Sequence, residues 1–414
     1  MRVLLLHNRY RVEGGEERSV DLQMRALENA GIEHRLLERR SGDAGRVEAA
    51  LAMLRGGASS PVDLAALRGG APGGRRANVR ATLRGDAKDG GVAAAVDELG
   101  VDVVHAHNMQ PLIGPRGLAA AREAGARVVL HLHNARLFCA IGVAARDGGP
   151  CFRCRGRNTV PGLVLNCRGS LPEAAVYAAG LAAHQPLVFD SVARFATPSR
   201  WAAGQLARLG VPAERLDVLP HYLPASELAL GSAAHKGRYA LAAGRLSPEK
   251  GFDTAIEAAA QAAIPLWIAG DGPAAADLAA QARERGAPVE MLGRVPRSEM
   301  SGLLADAAML VLSSRCHEFS PFSVLEAMGA GVPVVATRSG GVPELVGAER
   351  CVARGDATAM ADRMRTLWGD PTRRRDEGET LLARAKENHS EERYLRDLLA
   401  LYERATGEGA SALD

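Results

Sequence analysis

The chain has 414 residues, enough for two or three domains with sizeable cores. A hydrophobic content of 47% with 24% charged residues marks the soluble globular class, and a net charge of +3 is too small to argue for a nucleic-acid partner. No run of about eighteen apolar residues occurs, so no membrane-spanning helix is expected.

The first apolar run, Val3–His7, is too short for a signal peptide and predicts an opening strand, which points to a cytoplasmic protein. In that compartment six cysteines serve as metal ligands or buried thiols more often than as disulfides. A loop over 8–18 carries Gly14-Gly15. A helix is predicted from Ser19 to Ala30, with Leu22, Ala26 and Leu27 on one face and Gly31 as its stop, and then a strand over Glu33–Leu37. The glycine pair makes either a tight turn or a close backbone approach to a ligand. It is not the dinucleotide fingerprint, because no third glycine or later acidic partner falls in place. Residues 55–91 are rich in Gly, Arg and Ala and predict a loop. Its cations Arg68, Arg75, Arg76, Arg80 and Arg84 suit a solvated face first, and an acidic acceptor or peripheral membrane contact second.

After a helix near Val92–Leu99, two predicted strands, Val101–His107 and Val128–His133, end in His105-Ala106-His107 and His131-Leu132-His133-Asn134. In a parallel sheet such strand ends meet at one edge, where clefts form. Cys139, Cys151, Cys154 and Cys167 follow as C-x11-C-x2-C-x12-C. One C-x2-C knuckle among four thiols fits either a structural zinc site or four free thiols, and a filled thiolate shell leaves no position for catalysis by the metal. Further on, Leu171–Asp190 predicts a helix, Arg194–Thr197 a strand, Arg200–Leu209 a helix capped by Ser199, and Leu216–Leu219 a strand. The stretch from Pro220 to Gly237 lacks periodicity and predicts an interdomain linker.

The βα alternation then restarts. A strand over Tyr239–Ala243 leads through Gly244-Arg245-Leu246-Ser247-Pro248-Glu249-Lys250-Gly251 into a helix from Phe252. A loop with one Arg and one Lys at a helix N-terminus suits a diphosphate. Strands over Leu266–Ala269, Val289–Leu292 and Met309–Leu312 alternate with helices over Ala274–Arg285 and Arg297–Ala305. In the run SRCHEFSPFSVLEAMGAGVPVVATRSGGVPELV, Glu318 and Glu326 stand eight positions apart. The first lies in a loop and the second in a short helix near Ser323–Ala330, followed by a strand over Val332–Ala336. Glu326 there is placed to accept the paired hydroxyls of a ribose. Helices over Ala357–Trp368 and Pro371–Asn388 and an amphipathic stretch over Glu391–Arg404, with Tyr394, Leu395, Leu398, Leu399 and Tyr402 on one face, close the chain.

This run resembles the nucleotide-sugar site of the retaining family-four glycosyltransferases of the GT-B fold: Glu-x7-Glu, then E-A-M-A-x-G-x-P-V-V-A, then G-G-x-x-E. The match is carried by Glu318, Glu326, Ala327, Met328, Gly331, Pro333, Val334, Val335, Ala336, Gly340, Gly341 and Glu344. Ser320-Pro321-Phe322 departs from it, where many relatives have a glycine. The G-R-L-x-x-E-K-G loop, Gly270-Asp271-Gly272-Pro273, the Gly14-Gly15 pair and His133-Asn134 extend the likeness, and cysteine inserts of this pattern occur in a bacterial subset of the family. The resemblance implies an α/β chain of two Rossmann-like parallel-sheet domains with a cleft between them. Residues 1–222, with the cysteine insert at 137–170, would form the acceptor side; 238–390 would bind the nucleotide sugar; and 391–414 would pack back on the first domain.

By the same resemblance the chain is a metal-independent hexosyltransferase moving a sugar, from UDP foremost, to a hydroxyl acceptor such as a natural product, a glycan or a glycolipid. Gly14, Gly15, Gly244, Arg245, Lys250, Gly270, Arg294, Val295, Glu318, Ser320, Pro321, Phe322, Ser323 and Glu326 would bind the donor. His105, His107 and Asn134 would face the acceptor. His133, Arg245, Lys250 and Glu318 would serve catalysis. No carboxylate nucleophile is evident beside His133 and no Asp-x-Asp metal motif serves the donor. Stabilisation of the departing diphosphate by Arg245, Lys250 and helix N-termini is therefore expected, with the leaving phosphate taking the acceptor proton on the same face. The alternatives are a GT-B epimerase or phosphorylase, and a non-catalytic binding protein built around zinc.

Overall fold

The computed structural model describes residues 1–9, 14–40, 90–110 and 112–407. Apolar runs flanked by helices on both faces make parallel strands. The first half contributes β1 (Arg2–Arg9), β2 (Glu33–Arg40), β3 (Val103–Ala106), β4 (Arg127–His131), a small antiparallel ribbon of β5 (Ala145–Arg146) and β6 (Gly149–Pro150), then β7 (Arg194–Thr197) and β8 (Leu216–Val218). Apart from the ribbon they form one parallel sheet in the order β2-β1-β3-β4-β7-β8. The helices between them are α1 (Gly15–Asn29), α2 (Gly90–Leu99), α3 (Gly114–Glu123), α4 (Val160–Val164), α5 (Leu171–Ser191) and α6 (Arg200–Leu209).

The second half repeats the plan with β9 (Tyr239–Ala243), β10 (Leu266–Ala269), β11 (Val289–Gly293), β12 (Ala307–Leu312), β13 (Val334–Thr337) and β14 (Cys351–Val352), in the parallel order β11-β10-β9-β12-β13-β14. Its helices are α7 (Phe252–Ala262), α8 (Ala275–Glu284), α9 (Arg297–Ala305), α10 (Phe322–Gly329), α11 (Val342–Val346), α12 (Ala357–Trp368) and α13 (Pro371–Asn388). Between β9 and β12 the strand order reverses, and ligands of open α/β sheets bind in the crevice beyond the carboxyl ends of such strands.

The last helix, α14 (Glu391–Thr406), crosses back onto the first sheet. Ser390 caps it, and Tyr394, Leu398, Leu401, Tyr402 and Ala405 are its buried stripe. Leu395 and Leu399 fall at the margin, because the stripe follows a 3.6-residue period around Leu401. One apolar cluster runs from Val3, Leu5 and Leu27 of the first half through Leu219, Tyr222 and Leu223 to Leu325 and Val334 of the second, and on to Tyr394 and Leu398.

Several boundaries move. Helix α1 begins at Gly15, so Glu16, Glu17 and Arg18 belong to it and not to a loop: the carboxylate of Glu17 accepts the Gly14 N–H at 2.8 Å and closes the first turn. Gly329 lies inside α10, and the stop is Gly331, in the left-handed region at φ 69°. Strands β3 and β4 end at Ala106 and His131, where the register with their neighbours runs out, leaving His107 and His133 just beyond the sheet. The loop and cations expected over 55–91 lie outside the described residues, except Gly90 and Gly91, which open α2.

Candidate functional site in the cleft between the two sheets

The loop after β9 and the loop after β12 are zipped together at the switch point. Arg315 and Cys316 N–H groups donate to the Glu249 carbonyl at 2.9 and 3.1 Å, and Ser313 Oγ donates to the Lys250 carbonyl at 3.1 Å. Gly251 permits this, since a Cβ there would stand 2.3 Å from the Ser313 carbonyl oxygen. Lys250 Nζ consequently reaches Glu318 Oε1 at 2.6 Å, and Ser314 Oγ donates to the same oxygen. Burial works against the Lys250 charge, but the Glu318 carboxylate and the Cys316 sulfur outweigh it and raise the pKa. Arg245 is half-exposed and bonded to Glu249 Oε1 at 2.6 Å, which Ser247 Oγ also bonds at 2.7 Å. Gly244 and Gly270 approach so closely that a Cβ at Gly270 would meet the Gly244 carbonyl oxygen at 1.9 Å.

Beyond Glu318, the Ser320 hydroxyl is buried with no hydrogen-bond partner, Pro321 is the N-cap of α10, and Phe322 and Ser323 form its first turn. Arg294 is exposed and Val295 half-buried just past β11, whose Gly293 carbonyl accepts the Gly270 N–H at 2.7 Å. Phe322 faces the first domain: a Cβ on Gly15 would lie 3.3 Å from its ring. Glu326 is engaged by the guanidinium of Arg18, which also bonds Glu227. Arg18 is fully buried in α1, and burial lowers its pKa to about 10 against the pull of Glu227, so it stays charged at neutral pH. Glu344 acts in a similar way in the other direction. Its carboxylate accepts the Arg200 N–H at 3.0 Å and the Trp201 N–H, completing the cap of α6 beside Ser199.

On the first domain, alternate residues of β3 and β4 put four imidazoles on one face. His105, His107, His131 and His133 stack with centroids 4.1–5.6 Å apart, and His221 continues the column at 5.6 Å from His133 and 4.4 Å from Phe322. His107 Nδ1 and His133 Nε2 share a hydrogen bond of 2.9 Å. Burial first, and repulsion among the imidazoles second, hold His105 down to about 3 and His107, His131 and His221 well below the usual range; His133 is likewise held down to about 3, by burial and then His7. His105 lies deepest, bonded to Gln23 at 2.9 Å and Tyr402 at 3.0 Å, so it joins the floor of the cleft to α14 and not the acceptor face.

A cavity beside the column is lined by Glu16, His107, His131, His133, Asn134 and Arg136. Asn134 Nδ2 donates to Glu16, whose pKa burial raises against the attraction of Arg136. Carboxylates therefore do reach the neighbourhood of His133, contrary to the expectation from sequence. They come from α1, more than a hundred residues away, and both are tied: Glu16 to Asn134, and Glu17 to Gly14, with His7 at 3.7 Å. Glu16, Glu17, Arg18 and His221 had no predicted role. The charged Glu-Glu-Arg following a glycine pair was the available sign for the first three; His221, in an aperiodic stretch, offered none.

The four cysteines of the insert are free thiols and all line one cavity with Phe138, Pro161 and Leu165. No helix among the described residues is long and apolar enough to cross a membrane.

Two six-stranded parallel domains, a cation-bearing loop at the switch point of the second and a closing helix on the first define the GT-B fold. The chain belongs to the family of the glycosyl transferase 4-like domain, matched over residues 14–221, joined to the glycosyl transferases group 1 domain, matched over 237–370. It is similar to WcaL of Escherichia coli (strain K12), whose name places it in colanic acid biosynthesis as a glycosyltransferase, at 33% identity over 38% of this chain and 40% of that one. It is similar too to the GDP-mannose-dependent alpha-(1-6)-phosphatidylinositol dimannoside mannosyltransferase of Mycobacterium tuberculosis (strain ATCC 25177 / H37Ra), at 34% identity over 32% and 36%. The matches thus span about two fifths of such relatives. Among solved structures, Anabaena Alr3699/HepE in complex with UDP and glucose shares the fold at TM-score 0.63 and 16% identity, over 97% of this chain and 98% of the other. AviGT4, a glycosyltransferase involved in Avilamycin A biosynthesis, does so at 0.60 and 20%, over 98% of both.

Proposed function

We propose that the chain transfers a hexosyl group from a nucleotide sugar, UDP-linked foremost, to a hydroxyl-bearing acceptor with retention at the anomeric carbon. The observation that carries this is the Lys250–Glu318 pair at the switch point of the second sheet, beside Phe322, which stacks on the His133–His221 column and faces Gly15 of the first domain. In this scheme Lys250, Arg245 and the N–H groups of the first turn of α10 take the charge that develops on the departing diphosphate. Two fixed cations there make a metal ion unnecessary. The leaving phosphate oxygen accepts the acceptor proton on the same face. Glu318 and the unpartnered Ser320 hydroxyl suit the sugar hydroxyls, and the cavity beside His133 and Asn134 suits the acceptor.

Glu326 would hold the ribose, which requires Arg18 to turn away from it or to share it with the ligand. The domains would then close through the ligand where they now close through this ion pair. UDP in the HepE structure and GDP-mannose in the name of the mycobacterial relative keep two bases open.

The test is thermal stabilisation by UDP, GDP, ADP and dTDP, on the wild type and on Glu326→Ala. A nucleotide at one hundred times its Kd adds about 2.7 kcal/mol. One base stabilising the wild type and not the variant is the expected result; no response to any of the four would overturn the proposal.

A further inference from the structure

The connection between β4 and α5 is held by little that a folded segment ordinarily relies on. From Ala145 to Ser170 no apolar side chain is fully buried, and regular structure is confined to the β5–β6 ribbon and the single turn of α4. Three of the four non-glycine residues with positive φ among the described residues, Ala144, Asp147 and Asn166, fall in or beside it. Each such conformation costs free energy that the surroundings must supply. Segments with so small a core commonly rely on a cross-link or a metal.

We propose that Cys139, Cys151, Cys154 and Cys167 bind one zinc ion, and that the knuckle it orders presents Phe152 to the donor loop of the second domain. All four cysteines line one cavity, none is in a disulfide, and four cysteines are a common complement of a structural zinc site. Binding deprotonates the thiols, so a four-thiolate site carries a net charge of about −2. The segment matches it with Arg146, Arg153, Arg155, Arg157 and Arg168 against one acid, Asp147, and Arg146 Nη1 stands 3.7 Å from Cys167 Sγ. The sulfurs are not yet gathered within 4.8 Å of one another; rotation about the Cα–Cβ bonds must bring them to the separation of about 3.8 Å that a tetrahedral Zn–S bond of about 2.3 Å sets.

Three imidazoles, His105, His107 and His131, do have nitrogens within 4.8 Å of one another, yet they are the poorer site. Their rings lie within 11–30° of parallel, so their lone pairs run side by side and do not converge. His105 Nδ1 and His107 Nδ1 are already bonded.

The knuckle has a second role. Phe152, between Cys151 and Cys154, stacks on His317 at 5.5 Å and lies 6.5 Å from Trp201, which itself meets His317 at 4.5 Å. His317 directly precedes Glu318, and its Nδ1 accepts the Gly340 N–H at 3.0 Å. A zinc-ordered Phe152 would therefore fix the backbone from which Glu318 reaches Lys250. This second part rests on the donor-site assignment above; the zinc itself does not.

Elemental analysis of the dialysed full chain decides the first part. About one zinc per chain is expected, falling below about one tenth in Cys151→Ser/Cys154→Ser. Should that variant not fold, cobalt exchanged into the wild type supplies the readout, as thiolate-to-cobalt charge-transfer absorption. Metal-free wild type whose four thiols all react with a disulfide reagent under native conditions would overturn the site. Phe152→Ala decides the second part: it keeps its zinc and loses about tenfold in affinity for the stabilising nucleotide, a loss worth about 1.4 kcal/mol. Unchanged affinity with zinc retained would overturn the positioning role. Failure of every nucleotide to bind the wild type would count against the donor assignment and leave the zinc stoichiometry standing.

Discussion

Lys250 and Arg245 differ in what holds them, and that difference orders their expected effects. Lys250 is partly buried against Glu318, while Arg245 is half-exposed and paired with a carboxylate of its own loop. A preorganised cation in a water-poor site contributes more to transition-state stabilisation than an exposed one. Lys250→Ala is expected to lower kcat about 10²–10³-fold, and Arg245→Ala to fall less, with KM for the donor rising in both. Steady-state kinetics with the donor identified by the nucleotide panel would check this. Wild-type kcat in both variants would exclude the electrostatic scheme.

At the scale of elements, the imidazole column of β3 and β4 ties stability to pH. In the unfolded chain these histidines protonate near pH 6.5. In the fold burial keeps them neutral, holding His105 and His133 down to about 3 and His107, His131 and His221 well below the usual range. The groups facing the column are Glu17 from α1, His7 from β1, Arg18, His389 and the Tyr402 hydroxyl. Depressed folded values mean that stability is complete above pH 6.5 and is lost as pH falls towards 3, at up to about 1.4 kcal/mol per pH unit for each imidazole. A Tm that drops steeply between pH 6.5 and 4.5 is expected, with a shallower slope in His131→Leu, since both ring nitrogens of His131 lack partners. A flat profile would contradict the neutral stack.

The whole molecule is closed by α14. Tyr394, Leu398, Leu401 and Tyr402 are buried against the first sheet, and the two tyrosines hold Gln23, which also bonds His105. At about 1.5–3 kcal/mol for each large side chain, their burial is of the order of the net stability of a protein, about 5–15 kcal/mol. A chain ending at Ser390 is therefore expected to lose its cooperative thermal transition, whereas Tyr402→Phe, which removes only a hydroxyl, should lower Tm by a few degrees. A truncated chain melting cooperatively near the wild-type Tm would show that the crossover is dispensable.

Elements were legible wherever local periodicity decides them: the twelve strands of the two sheets were placed by apolar runs between helices, apart from β14, whose two residues carry no period. The G-R-L-x-x-E-K-G loop and the Glu318 loop were legible too, because chemistry at a strand-to-helix turn needs particular residue types within a few positions. What the sequence by itself determined was thus the pair of sheets and the cations at the edge of the second. Only the tertiary structure decided which side chain meets which partner: Arg18 with Glu326, Glu344 with the start of α6, Glu16 with Asn134, and Phe152 with His317. Those pairs join residues separated by more than 100 to more than 300 positions, and no local pattern encodes a contact whose two halves are brought together only when one sheet edge closes on the other.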